Sequence, residues 1–255
     1  MADSSCNFRQ QAKSMTHNTR AQIGILMLES RFPRFRGDIG HPKTFDPPAV
    51  VRTVRTASPR RVVEGQAFGL LDSFIDAAKD LEQTGAGLIT TSCGFLVLHQ
   101  AALATAVNVP LVSSSLLAVA PAARHLHGQG LRPAILTISS ENLTPDHLNA
   151  AGCPADIPIG APEPDSHFCT QILGNRATMD KAIARQDVIA SARKLMDRHE
   201  GIGALILECT NMPPYASDLA ELFRIPILSL PSLLPYCQSG LGIEAATVEA
   251  LESCQ

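Results

Sequence analysis

Apolar residues fall in short runs separated by amphipathic stretches. The run Ile-Gly-Ile-Leu-Met-Leu at 23–28 has no polar residue to turn toward solvent, as in a parallel strand covered on both faces. Shorter apolar runs at 87–91, 110–112, 134–138, 204–207 and 226–228 predict further strands, and 52–55 and 61–63 read as weak ones. Elsewhere the period lengthens. Residues 69–84 place Leu70, Leu71, Phe74, Ile75, Ala78 and Leu81 on one face of a helix, and helices are also expected over 95–107, 145–151, 177–200 and 214–223. Strands alternating with helices in this way predict an α/β fold with parallel sheet. Residues 1–20 show no period and are expected to form a disordered tail. The Pro-, Gly- and Arg-rich segment 29–48 predicts a long loop, of a length usually kept for function. Residues 156–167, rich in Pro and acidic side chains, predict a surface insertion.

The pattern repeats. Residues 85–117 align without a gap on 201–233, at a constant offset of 116 (209 − 93). Gly85 falls on Gly201, Gly87 on Gly203, Cys93 on Cys209, Leu103 and Ala104 on Leu219 and Ala220, Pro110 on Pro226, Ser113 on Ser229, and Leu117 on Leu233. A single offset held across a strand, a helix and the next strand implies duplication of one structural unit.

Each copy sets one cysteine just past the carboxyl end of a strand and before a helix, the edge at which open α/β sheets bind ligands. Unpaired N–H groups at the helix start favour a bound carboxylate and also favour thiolate over thiol. Two copies facing each other would bring Cys93 and Cys209 to opposite sides of one cleft. Two opposed thiols suit proton transfer at a carbon acid, with one sulfur removing a proton and the other returning it on the opposite face. That chemistry needs no metal or organic cofactor, and none is implied. Gly94 allows close backbone approach, while Thr210 and Asn211 offer side-chain and backbone donors. Ser92 and Glu208 occupy the equivalent positions before each cysteine; strand alternation is expected to turn Glu208 away from the side Cys209 faces.

Composition narrows the field. Charged residues make up 18% of the 255, with a net charge of −3, which lacks the clustered basic excess that nucleic acid requires. Trp is absent and aromatics total 4%, which disfavours stacking platforms. No apolar stretch approaches the roughly 20 residues of a membrane span, and 1–20 holds no signal-like apolar core. Seven cysteines without a Cys-x-x-Cys pair point to free thiols in a reducing cytoplasm. His125-x-His127 and His167-x-Cys169 are too sparse for a metal site. No P-loop, Gly-x-Ser-x-Gly or His-Glu-x-x-His is present.

Thr91-Ser92-Cys93-Gly94-Phe95 and Leu207-Glu208-Cys209-Thr210-Asn211-Met212 resemble the cysteine motifs of the aspartate/glutamate/hydantoin racemase superfamily. The resemblance covers about 23–242. It implies two pseudo-symmetric flavodoxin-like lobes with an active site in the cleft between them, cofactor-independent proton transfer by the two cysteines, and a homodimer. The lobes are then expected at 21–116 plus 232–255 and at 117–231. The chain departs from amino-acid racemases of this superfamily at Gly94-Phe95, where they carry Asn-Thr. It departs from glutamate racemases at Asn211, where they carry His, and only partly matches their Asp-Ser pair with Glu29-Ser30.

Cys93 and Cys209 are therefore the expected acid/base pair of a racemase or epimerase, acting on a small amino acid or derivative with a carboxylate or imide. Gly94, Phe95, Ser92, Thr210 and Asn211 are expected around the substrate. Ser139, on the loop after 134–138, and Ser30 and Arg34, on the loop after 23–28, are further candidates. Of Arg31, Arg34 and Arg36, Arg34 is chosen to clamp a carboxylate. A hydantoin racemase or maleate-type cis-trans isomerase on the same fold stays open, as does a non-catalytic small-acid binding protein.

Overall fold

The computed structural model describes residues 21–253. Two four-stranded parallel sheets form its frame. The first runs β2 (Val50–Val54), β1 (Ile23–Leu28), β3 (Leu88–Thr91), β4 (Leu111–Val112). The second runs β6 (Ile159–Gly160), β5 (Arg132–Leu136), β7 (Ile202–Leu207), β8 (Ile227–Leu228), the same order around the same crossovers. The repeat extends to the ladder register. Ile89 and Thr90 pair with Leu111 and Val112, and Leu205 and Ile206, each 116 residues on, pair with Ile227 and Leu228. The two lobes are α/β units related by internal duplication.

The helices deviate from expectation where local chemistry overrules the apolar pattern. Residues 61–63 are not a strand. They belong to helix α1 (Pro59–Val63), which starts because Ser58 accepts from the Arg61 N–H and Pro59 occupies the first turn. Helices α2 (Leu71–Gln83), α5 (Pro145–Ala150) and α7 (Lys181–Arg198) lie where the periodicity placed them. The segment 94–106 splits into a 3-10 turn (Gly94–His99) and α3 (Gln100–Ala106), and 213–223 into a 3-10 turn (Pro213–Tyr215) and α8 (Ala216–Phe223). Helices α4 (Val119–His127), α6 (His167–Leu173), α9 (Leu230–Gln238) and α10 (Ile243–Glu252) were not predicted. Pro121 and Pro231 sit in first turns, where a missing N–H costs nothing, and Pro235 lies inside α9. The expected insertion 156–167 instead supplies β6, paired to β5, and Ser166, which caps α6. The tail expected at 1–20 lies outside the described residues.

Side-chain alternation on β1 decides what covers the first sheet. Ile23, Ile25 and Met27 face one way and pack on Leu230, Leu234 and Ala246, so the chain returns after β8 to lay α9 and α10 on the first lobe. Leu26 and Leu28 face the other way, into the core shared with Phe74, Leu81 and the second sheet. Among the described residues no helix is long and apolar enough to cross a membrane.

Phe74 is fully buried, whereas Phe68 is 87% exposed. Replacing Phe74 with Ala is expected to lower unfolding free energy by about 3–5 kcal/mol in urea titration. Phe68→Ala should stay within about 0.5 kcal/mol of the parent.

Candidate active site

Both cysteines reach one cavity between the sheets. It is narrow, about 20 Å³, and partly open to solvent, and Ser92, Gly94, Phe95, Thr210, Asn211 and Arg34 line it with them. The loop after β3 and the loop after β7 are bound to each other. Thr210 Oγ1 donates to the Ser92 carbonyl at 2.6 Å, and Ser115 Oγ donates to the Leu207 carbonyl at 2.7 Å, both buried. Ser92 Oγ accepts from the Leu28 N–H at 2.9 Å. The Thr210 hydroxyl, expected to meet substrate, is thus occupied in fastening the lobes, and the Ser92 hydroxyl in tying the loop after β3 to β1 within the first lobe.

Gly94 answers a packing demand. A Cβ there would overlap Glu208 Oε1 and lie 2.7 Å from the Glu208 carbonyl and 2.9 Å from Ser114 Oγ. The second lobe's Glu208 presses against the first lobe's backbone at that point.

Glu208 corrects the expectation from strand alternation. β7 ends at Leu207, so the alternation no longer governs residue 208. The side chain is 1% exposed and lines the cavity. Its Oε2 accepts from Thr137 Oγ1 at 2.7 Å; its Oε1 is buried with no partner. Burial raises its pKa to about 7 against the opposing pull of the Thr137 hydrogen bond.

The loop after β1 brings a second charge cluster. Gly37, at φ +101°, turns the chain against Pro213 and Pro214 of the second lobe. Asp38, 2% exposed, accepts from Arg34 Nη1 at 2.7 Å, from the Gly40 N–H at 2.8 Å and from Asn211 Nδ2 at 2.6 Å. Arg34 also donates to Ser30 Oγ at 2.9 Å, and its guanidinium carbon lies 4.9 Å from the Phe32 ring centre. Ser30 therefore orients Arg34 and does not line the cavity. A carboxylate can only accept, so Asp38 fixes which arm of the Asn211 amide it meets. The other arm, Oδ1, accepts from the Cys209 thiol at 3.7 Å.

Ser139 is not at the site. It lines a separate polar cavity beside β6 and accepts from Asn142 Nδ2 at 2.8 Å, which makes it a turn residue. Arg31 and Arg36 are exposed. His167 Nε2 accepts from the Asp180 N–H at 2.8 Å, and the Cys169 thiol donates to the Ile138 carbonyl at 3.3 Å. Among the described residues no group of three or more His, Cys, Asp or Glu is placed to hold a metal ion. Cys93, Cys153, Cys169, Cys209 and Cys237 are free thiols.

The thiols differ from expectation in their electrostatics. Burial pushes both Cys93 and Cys209 well above the ordinary thiol range, and the Glu208 carboxylate pushes them further. The Phe95 and Asn211 N–H groups and, for Cys93, Arg34 pull the other way. Desolvation outweighs the short 3-10 turns that follow each cysteine, so both rest as thiols. Sequence reasoning missed Asp38, Thr137 and Phe32 and misplaced Glu208. The Pro-Gly-Arg loop was the one signal that pointed toward Asp38.

This is the two-lobed fold that the resemblance to the racemase superfamily implied. The chain superposes on the aspartate racemase of Picrophilus torridus with a TM-score of 0.52 at 13% identity, covering 89% of this chain and 94% of that one. It superposes on arylmalonate decarboxylase with a TM-score of 0.53 at 15% identity, covering 87% and 93%. In sequence it is similar to other proteins. A dimethylsulfoniopropionate lyase of Durusdinium sp. clade D is 24% identical over 216 residues, 81% of this chain and 70% of the relative. Dimethylsulfoniopropionate lyase 7 of Emiliania huxleyi (strain CCMP1516) is 28% identical over 224 residues, 80% and 62%. The chain spans between 45 and 70% of the length of the curated relatives it matches. No family model matches it.

Between about pH 4.5 and 7, native Glu208 binds more protons than unfolded Glu208, so its contribution to stability falls as pH rises through that window. The loss across it should be about 3 kcal/mol. Urea titrations at the two ends of the window should show this slope in the parent protein and its absence in Glu208→Gln.

Proposed function

We propose that the chain is a cofactor-independent carbon-acid lyase that acts on a small zwitterion, a carboxylate with an onium group on its β-carbon. One observation carries this reading. The cavity is lined by one cationic and one anionic side chain, Arg34 and Glu208, the latter with one oxygen lacking a partner, and its remaining walls include Leu28, Phe32, Val63, Phe95, Ile138 and Ile172. Such a cavity matches a ligand with charged ends and an apolar middle. A methylated sulfonium offers no N–H groups and suits apolar walls beside one buried negative charge, whereas an ammonium would leave donors unsatisfied there. The names of the curated relatives support dimethylsulfoniopropionate as the substrate.

The residues divide the work. Arg34, held by Asp38 and Ser30, meets the carboxylate and stabilises the negative charge that grows on it as the α-proton leaves. Cys93, the less buried of the two cysteines, is the base. Its sulfur takes the α-proton, the Cα–H electrons form the alkene, and the Cβ–S bond breaks to release neutral dimethyl sulfide and acrylate. Cys209, with its S–H on Asn211, closes the opposite face. A second reading, racemisation of an amino acid with Cys209 returning the proton, draws support from the equivalent positions of the cysteines in the duplicated lobes.

Proton NMR in heavy water separates the readings. With dimethylsulfoniopropionate, vinyl signals of acrylate and a dimethyl sulfide signal are expected. Cys93→Ser should reduce turnover by about 10²-fold or more, and Cys209→Ser by less. Solvent deuterium at the α-carbon of single-enantiomer amino acids, with inversion and equal dependence on both cysteines, would favour the racemase. Turnover indifferent to both substitutions would overturn the acid/base assignment.

A further inference from the structure

Glu208 has no task in the reaction just described beyond its charge, yet it is the most unusual group in the cavity. One oxygen is anchored by Thr137, the other is buried, unpartnered and set against Gly94, the residue after Cys93. We propose that Glu208 is the proton acceptor of Cys93: the Cys93 S–H bond breaks, a Glu208 Oε1–H bond forms, and the negative charge passes from carboxylate to sulfur. The inference rests on the reading of Cys93 as the base.

The geometry distinguishes the two cysteines. Asp38 holds the Asn211 amide so that its oxygen faces Cys209, and the Cys209 proton is already engaged there. Cys93 has no such acceptor; its loop, through Gly94, lies against the free oxygen of Glu208. Direct ionisation of Cys93 would place a second negative charge beside the buried Glu208 carboxylate, and both burial and that carboxylate oppose it. Transfer to Glu208 creates no second charge. The cavity keeps one negative charge throughout, and a cationic substrate group is attracted to it on either atom. The titratable groups facing this pair are Cys209 from the loop after β7 and Arg34 from the loop after β1, the latter paired to Asp38, with Cys169 of α6 behind Cys209. Thr137, from the loop after β5, holds the carboxylate in place.

Alkylation of Cys93 by iodoacetamide, followed by peptide mass spectrometry from about pH 5 to about pH 9, reads the transfer without any substrate. In the parent protein the rate should rise through an inflection near 7, the value of Glu208. Glu208→Gln keeps the volume and a bond to Thr137 but cannot take the proton. Its Cys93 should alkylate at least about tenfold more slowly at neutral pH, without that inflection. A charge that acted only as a bystander gives the opposite sign: its removal lowers the thiol pKa, and faster alkylation in Glu208→Gln overturns the proposal. Thr137→Val is the second variant. It removes the bond that holds the carboxylate's pKa down, so the inflection should move to higher pH; an unmoved inflection also overturns the proposal. If both variants behave as expected and dimethylsulfoniopropionate is not turned over, the substrate reading fails and the proton transfer stands.

Discussion

A hydroxyl of one lobe donates to a carbonyl of the other, Thr210 to Ser92, and the site depends on that fastening. The bond is short and buried, so breaking it would strand a polar group on each side. It joins the residue after one cysteine to the residue before the other. The separation of the two sulfurs is therefore set by local backbone geometry, and not by the looser packing of helices around the sheets. Two duplicated sheets could pack face to face in many ways; this contact selects the one in which their active edges share a cavity.

The charged groups of the cavity that results are largely buried, and burial governs their charges. Arg34 and Asp38 neutralise each other and are fixed by hydrogen bonds, which leaves Glu208 as the charge without a permanent partner. In water such a carboxylate would influence a neighbouring thiolate by only about 1 kcal/mol at 4 Å. Here it raises both cysteines and is itself raised. A buried group whose acidity sits near neutrality is a suitable partner for moving protons, and a cationic ligand entering beside it meets a field that has no competing counter-ion.

Much of this was legible in the chain. The constant offset between Cys93 and Cys209 disclosed the duplication, and the ladder registers of the two sheets reproduce it residue for residue. Strands were readable because a strand buried on both faces excludes polar residues. The helices after β4 and β8 were not, since Pro121 and Pro231 signal a break unless one knows that they fall in a first turn. The cysteines and their immediate neighbours were found because they share a motif. Asp38 and Thr137 were not, because Asp38 meets Asn211 across the lobe boundary and Thr137 meets Glu208 across neighbouring strand ends 71 residues apart, and no spacing along the chain encodes either contact. Glu208 was seen and misplaced: period-two reasoning was carried one residue past the end of β7, where the backbone no longer alternates.

The contact between Gly94 and Glu208 has a consequence for how such a site can change over generations. A Cβ at 94 would contend with the Glu208 side chain, with the 208 backbone carbonyl and with Ser114 at once. A side chain at 94 has no room while a glutamate stands at 208, and a small residue at 208 opens a void beside the Cys93 loop. A smaller residue at 208 relieves only part of the conflict, because the 208 carbonyl lies 2.7 Å from where a Cβ at 94 would stand; a side chain at 94 also needs the two loops to stand further apart. Lineages built on this fold would then be expected to keep glycine at 94 wherever the two loops are held this close, and to carry a larger residue there only where the lobes are spaced further apart.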